Sequence, residues 1–340
     1  MIYDLNEITD EKLQANYLAP EFIDYLKHTN GNYEQLRRVD LGSCRYYYTK
    51  DDNDNINLHP GVTSVLHNQM PLEFGLLQWY ATNGMEKCKE ILFERALYGT
   101  LMHIVFSKYI ALPGNSFNKA MIDTIFNDYV DRRPYHLQRT IREYYETERY
   151  IDDLYKDLLC FHAFIIEKNV RIIANEISLC TGDYNPTYAG TIDLICELDF
   201  NKKRQTAIID FKSKRGGASY SSNVFQLHAY RQLWNRHFVS DERYEDGSSY
   251  IDESFKIDMA FNFFPNNWQK EPTYKLTNQT KKINDEKIDS LFENYLCNFH
   301  LQSTSKEALE SKILNIDQTI KKGETFVASE FTLKEYLLNY

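Results

Sequence analysis

Residues 189–212 read AGTIDLICELDFNKKRQTAIIDFK, two apolar runs divided by a polar stretch. Ala189 to Leu198 and Thr206 to Lys212 are rich in Ile, Leu and Thr and bounded by turn residues, which predicts two strands. Asn201-Lys202-Lys203-Arg204 is short enough to join them as a hairpin. A third run, Val170 to Leu179, is separated from the first by Thr181-Gly182-Asp183-Tyr184-Asn185-Pro186. The three runs therefore form an antiparallel meander. Alternate side chains of a strand share a face, so Asp210 and Lys212 point one way and Ala207, Ile209 and Phe211 the other.

With the turn centred near Lys202 and Lys203, Asp193 falls roughly opposite Asp210 to Lys212. Facing Cβ atoms in such a pair are about 5 Å apart. Two acids that close repel unless a cation lies between them or one is protonated, and a divalent ion is the simpler answer. A carboxylate holds a hard cation, while a neighbouring lysine orients water or offsets charge at a phosphate. Glu176, on the preceding strand, offers a third carboxylate, with a register against Asp193 that is open by one residue. The acid-x-lysine pattern recurs at Asp10-Glu11-Lys12, Asp285-Glu286-Lys287 and Glu310-Ser311-Lys312, but only the copy at 210–212 sits in an apolar strand. Taken alone, that triplet also reads as a surface ion pair on an edge strand, and Asp193 as a salt-bridge partner of Lys212.

Further along, a helix from about Ser222 to His237 follows, with Ser221 or Ser222 as N-cap. It places Gln226 and Tyr230, four apart, on one face, suited to hydrogen bonds with a phosphate or the lysine, or to a half-buried surface. Strands are expected at Phe255–Phe264 and Pro272–Leu276, then a helix at about Asp285–His300. Upstream, Pro71 to Leu112 is helical in pattern with a break at Asn83-Gly84, and Asn118 to Lys168 with a break at 132–134. Gly99 and His103 are four apart inside the helical Glu86–Ile110 segment. Glycine there costs about 1 kcal/mol relative to alanine, which close approach of backbone to the sheet or to nucleic acid would justify. His103 is then a candidate metal ligand through a neutral imidazole, or an ordinary helix histidine. The expected class is α/β: a helical front half at about 70–168, a small mixed sheet with flanking helices at about 170–280, and extensions at 1–60 and 301–340. The polar stretch Lys50 to Asn55 reads as a surface loop, and Ser303 to Tyr340 is not placed.

The chain has 340 residues and a formal net charge of -10, which argues mildly against a protein that coats nucleic acid but leaves room for a local basic groove. Lys202 to Arg204 and Lys212 to Arg215 are basic clusters near the candidate site, or solvated turns. The 26 Tyr and 20 Phe are evenly scattered, so core packing is their default role. No apolar run of about 18 residues predicts a membrane span, and no secretory leader is visible at Met1 to Asp10. Cys44, Cys88, Cys160, Cys180, Cys196 and Cys297 contain no C-x-x-C pair, which predicts reduced thiols in a cytosolic setting.

The ordered set Gly99-Thr100-Leu101-Met102-His103, Glu176, Gly190-Thr191-Ile192-Asp193, Asp210-Phe211-Lys212 and Gln226-Leu227-His228-Ala229-Tyr230 resembles the RecB-type exonuclease branch of the PD-(D/E)XK nuclease superfamily. Pro60 to Leu66 and Leu76 to Trp79 look like the lead-in of phage exonucleases and of the mitochondrial genome maintenance exonuclease. The likeness spans about residues 60 to 280. It implies a restriction-endonuclease-like core with a Mg²⁺ or Mn²⁺ site. His103, Asp193, Asp210 and the Phe211 carbonyl would be ligands, and Lys212 would position the attacking water. Gln226 and Tyr230 would contact nucleic acid or steady the lysine, and Glu176 matches a common acidic position. The cysteine spacing departs from relatives that carry an iron–sulfur cluster, so no cluster is expected. No P-loop is present, so unwinding would fall to a helicase or recombination partner.

The resemblance thus implies a metal-dependent deoxyribonuclease acting on linear DNA, single-stranded or duplex, in replication, recombination or repair, in the cytoplasm of a bacterial or phage-infected cell. A structure-specific or defence endonuclease on the same core, and a non-catalytic DNA-binding or virion-associated protein, are the alternatives. Oligomeric state is left open.

Overall fold

In the computed structural model of the chain, residues 2–3, 17–28, 33–34, 36–41, 44–50, 56–112, 117–131, 138–139, 141–142, 147–181, 186–213, 220–243, 249–281 and 285–301 are described. The fold is mixed α/β. Its central sheet has six strands in the order Tyr274–Asn278, Met259–Pro265, Lys203–Phe211, Ala189–Phe200, Arg171–Cys180 and Tyr17–Leu18. All neighbours are antiparallel except Met259–Pro265 beside Lys203–Phe211, which run parallel. That parallel pair needs a crossover, and the Ser221–Phe238 helix lies within it.

The meander forms, with a turn one residue earlier than expected. Phe200 pairs with Lys203, so Asn201 and Lys202 make the two-residue connection, both at positive φ (50° and 62°). This is the backbone of a type I′ hairpin turn, whose twist matches the strands it joins, and Asn is well suited to its first position. Lys203 and Arg204 belong to the strand rather than the loop.

Both faces of the sheet are covered. One face buries Ile195 and Ile208 with Leu227, Tyr230, Leu233 and Trp234 of the Ser221–Phe238 helix, and with residues of the Val62–Gln69 and Asp285–Leu301 helices. The other buries Leu194, Cys196, Ile209, Phe211 and Phe263 against the Met85–Ala111, Lys119–Asp131 and Thr147–Glu167 helices. Phe211 and Phe263 meet the rings of Phe106 and Phe161 edge to face there, while Phe106 and Phe161 stack parallel, both arrangements that aromatic quadrupoles allow. Two strongly apolar faces explain why these strands read as near-continuous hydrophobic runs.

The break at Asn83-Gly84 separates Phe74–Asn83 from Met85–Ala111, with Gly84 at φ 79°. Residues 1–60 are more than an extension. Tyr17–Leu18 is one of the sheet's two edge strands, and Phe22 and Leu26 of the Pro20–His28 helix are buried in the main core. Arg37–Leu41, Cys44–Lys50 and Ile56–Pro60 form a three-stranded antiparallel sheet that sequence patterning does not reveal. Cys88, Cys160, Cys180 and Cys196 are buried and Cys297 is exposed, none of the five in a disulfide. No described helix is long and apolar enough to cross a membrane. Residues 51–55, 132–137, 182–185, 214–219 and 302–340, which include the loop and break readings above, lie outside the described residues.

Candidate functional site

The hairpin register settles how the acids meet. Leu194 pairs with Ile209, which sets Asp193 and Asp210 opposite one another at the next step. Asp193 Oδ2 accepts the backbone N–H of Phe211 at 2.7 Å, tying one carboxylate to its neighbouring strand. On the other side, Asn175 pairs with Leu194 and Ile177 with Ile192, so Glu176 faces Asp193. Glu176 has φ 50°, in the left-handed region that costs a non-glycine residue about 1 kcal/mol or more. Both strands lose their alternation at this point. Ala174 and Ile177, three apart, bury in the same core, while Ile192 and Leu194, two apart, bury in opposite ones. Glu176 and Asp193 therefore sit where the pleat switches faces, within reach of a helix on the Phe211 side.

That helix supplies His103. Its Nδ1 lies 3.1 Å from Glu176 Oε1 and 3.6 Å from Asp193 Oδ1, and its ring stands edge-on to Phe211 at 5.5 Å. One ligand atom from each of His103, Glu176 and Asp193 falls within 4.8 Å of the others. Burial alone would keep His103 neutral, but the charge of Asp193, then Glu176 and Asp210, pushes its pKa up to about 9. Asp193 is raised to about 7, first by burial and then by Asp210 and Glu176, against the opposing pull of His103 and the Phe211 N–H. This crowding of acids around one imidazole is what a cation would relieve. Carboxylate oxygens with a single imidazole suit Mg²⁺ or Mn²⁺, so the residues present fit the expected ion.

Asp210 stands beside this trio rather than within it. Lys212 Nζ contacts its two oxygens at 3.1 and 2.9 Å, and Asn262 Nδ2 donates to Oδ2 at 2.7 Å. Lys212 also donates to Gln226 Oε1 at 3.0 Å, and Gln226 Nε2 to the Tyr230 hydroxyl at 3.3 Å. Gln226 and Tyr230 thus meet the lysine, as their helical spacing allows. Tyr230 is buried and its pKa is held well above the ordinary phenol value by that burial, with the Tyr47 and Asp193 charges adding to it. Phe211 joins the site through its N–H, while its ring packs in the core on the His103 side, away from the Ser221–Phe238 helix.

The glycines of the motif differ in purpose. A Cβ at Gly190 would lie 2.4 Å from Cε1 of Tyr230, so only glycine admits that ring against the strand. A Cβ at Gly99 would meet nothing nearer than Ser213 Oγ at 3.6 Å, ordinary contact, so approach to the sheet does not demand glycine there.

Four contacts escaped the sequence. Ser221 is not the N-cap of its helix. Tyr220 holds that position, and Glu73 Oε1 accepts from the Ser221 N–H and hydroxyl at 3.2 and 2.6 Å. The Tyr47 hydroxyl bonds Thr191 Oγ1 at 2.9 Å, which in turn meets Ser178 at 2.8 Å, behind the acids. Asn262 was visible only as a polar interruption of the apolar Ala260–Phe264 run. The basic cluster at Lys202 to Arg204 lies at the turn end of the hairpin, about 20 Å along the strand from Asp210. Arg204 is engaged there by Glu197, Asp199 and the Asn169 carbonyl. Of the second basic cluster, Lys214 and Arg215 lie outside the described residues.

No protein-family model matches the chain, and no curated protein matches it. Among solved structures, one titled "Crystal structure of SSO0001" aligns with 60% of this chain and 87% of its own, at 11% identity and a TM-score of 0.27. A likeness that slight carries no argument about fold or function.

Proposed function

We propose that the chain is a Mg²⁺- or Mn²⁺-dependent deoxyribonuclease that hydrolyses phosphodiester bonds from the ends of linear DNA. The observation that carries this reading is the opposition of Asp193 and Asp210 across a hairpin, with Lys212 held 2.9 Å from Asp210 and His103 and Glu176 closing the other side. When bound by His103, Glu176 and Asp193 with Asp210 beside them, the cation would polarise the phosphate and make a water acidic enough to attack at neutral pH.

The chain's own residues supply the rest. Lys212 brings positive charge to the edge of the acid cluster, where it can offset charge developing on the phosphate. Gln226 Oε1 accepts a hydrogen bond from the ammonium and Gln226 Nε2 donates to the Tyr230 hydroxyl, so the lysine is directed rather than free to roam. Asp193 and Asp210 are buried, which strengthens the charge interactions they make, while His103, Glu176 and Lys212 stay partly exposed at the site's open side.

The order of the motifs and their likeness to the RecB-type branch support DNA as substrate and linear ends as the point of attack. A helicase or recombination protein is the partner class this reading calls for, and the cytoplasm its compartment. The test is digestion of linear single-stranded, linear duplex and closed circular DNA with Mg²⁺ and with chelator. Metal-dependent loss of linear DNA with circles spared is the expected pattern. Cutting of circles would convert the reading to an endonuclease, and no cutting of any substrate would remove it.

A further inference from the structure

Asn262 is fully buried in the run Met259–Pro265, whose other members are apolar. A buried amide there is costly unless both its ends are satisfied. It lies directly beside Asp210 in the parallel register, and its Nδ2 donates to Asp210 Oδ2 at 2.7 Å. Gln279 Nε2 donates to Asn262 Oδ1 at 3.0 Å. Gln279 is itself fixed, its N–H bonded to the Ala260 carbonyl at 2.8 Å and its carbonyl to His228 Nε2 at 3.0 Å. His228 belongs to the same helix as Gln226 and Tyr230.

The direction of this chain is forced. A carboxylate only accepts, so Asn262 must turn its NH₂ to Asp210 and its oxygen away, and Gln279 must then present its own NH₂. We infer that Asn262, oriented by Gln279, is the positioning residue that aims Asp210 at the metal. Asn262 holds one Asp210 oxygen with a neutral donor, which neither cancels the negative charge nor competes as a cation. Lys212 contacts both oxygens and carries charge, so it must yield ground when a divalent ion arrives. Asn262 does not have to, and it keeps the carboxylate in place through that exchange. This rests on the nuclease reading above, because it gives Asp210 a metal to serve. Partners of this kind behind a metal ligand change metal affinity by about 10–100-fold when removed.

The test is calorimetric titration of Mn²⁺ into the full chain without DNA, alongside thermal melts, for wild type, Asn262→Ala, Gln279→Met and Tyr188→Phe. Gln279→Met keeps length and packing and removes the donor without adding a charge, so Asn262 Oδ1 loses the partner that fixes which end of the amide faces Asp210. Tyr188→Phe removes a buried hydrogen bond to Gln232 on the same helix without touching the site. Asn262→Ala and Gln279→Met should each weaken Mn²⁺ binding about 10–100-fold, while Tyr188→Phe lowers the melting temperature and leaves affinity within about twofold of wild type. If Asn262→Ala does not fold, Gln279→Met decides. Wild-type affinity in folded Gln279→Met and Asn262→Ala overturns the inference and leaves the nuclease reading standing. Absence of Mn²⁺ binding by the wild type overturns both.

Discussion

Asp193 divides its carboxylate between two neighbours: Oδ2 takes the Phe211 N–H at 2.7 Å, and Oδ1 faces His103 Nδ1 at 3.6 Å. The first contact is structural and works equally well for an amide oxygen. The second belongs to the charge cluster. Asp193→Asn should therefore keep the hairpin intact and melt no lower than wild type in metal-free buffer, because it removes a buried charge that its neighbours oppose. Mn²⁺ affinity should fall by at least about tenfold. Melting curves with and without Mn²⁺ check both parts, and a large loss of metal-free stability would contradict the division.

Gly190 and Tyr230 form the tightest steric pair at the site, with 2.4 Å between a built Cβ and the ring. Gly190→Ala should cost about 1–3 kcal/mol by overpacking. Tyr230→Ala should cost as much or more by opening a cavity. The double variant should be more stable than the sum of the two losses allows, since the methyl then occupies vacated space. Denaturant unfolding of the four proteins measures the coupling, and strict additivity would show that the two residues do not press on one another.

Gly99 lies on the other side of the site and makes the opposite prediction. With ordinary contact distances around its missing methyl, Gly99→Ala should gain up to about 1 kcal/mol of helix stability, or about 2 °C in melting temperature. A drop instead would reveal crowding that the ground-state contacts do not contain.

Acid should loosen the region around His59. This ring is buried, with Nδ1 at 2.6 Å from Thr187 Oγ1 and Nε2 without a hydrogen-bond partner among the described residues, and burial lowers its pKa to about 4. The unfolded chain takes up the proton near 6.5, so stability is full above that pH and declines as pH falls towards 4. His237, also lowered by burial, adds to the same slope. His59→Gln should flatten the fall in melting temperature between pH 6.5 and 4.5, by about 3 kcal/mol of stability at most. An unchanged slope would show that His59 is already protonated in the fold.

The hairpin is legible in the sequence because its two apolar runs are divided by one short polar stretch, which sets Asp193 roughly opposite Asp210 to Lys212. The exact partner, Asp210, depends on a two-residue turn one step earlier than the polar stretch suggests. Lys212, Gln226 and Tyr230 followed from strand and helix periodicity. Glu176 could not be registered, because its left-handed backbone and the pleat reversal beside it are invisible in a residue that rarely adopts that conformation. Asn262 and Glu73 act across 52 and 148 positions, through a parallel pairing and a helix end that no local pattern encodes. The small sheet of Arg37–Leu41, Cys44–Lys50 and Ile56–Pro60 is illegible for a related reason: its middle strand buries Tyr46, Tyr47 and Tyr48 in a row, which breaks the alternation that marks a strand.

Lys212 and Asp210 are the residues on which the proposed hydrolysis depends most directly. Single-turnover digestion of end-labelled linear DNA in Mg²⁺ should be stopped by chelator. It should fall by two or more orders of magnitude in both Lys212→Ala and Asp210→Ala, roughly the cost of losing a contact to charge in the transition state. Melting curves verify that both variants are folded. Wild-type digestion rates in the two folded variants would contradict that dependence.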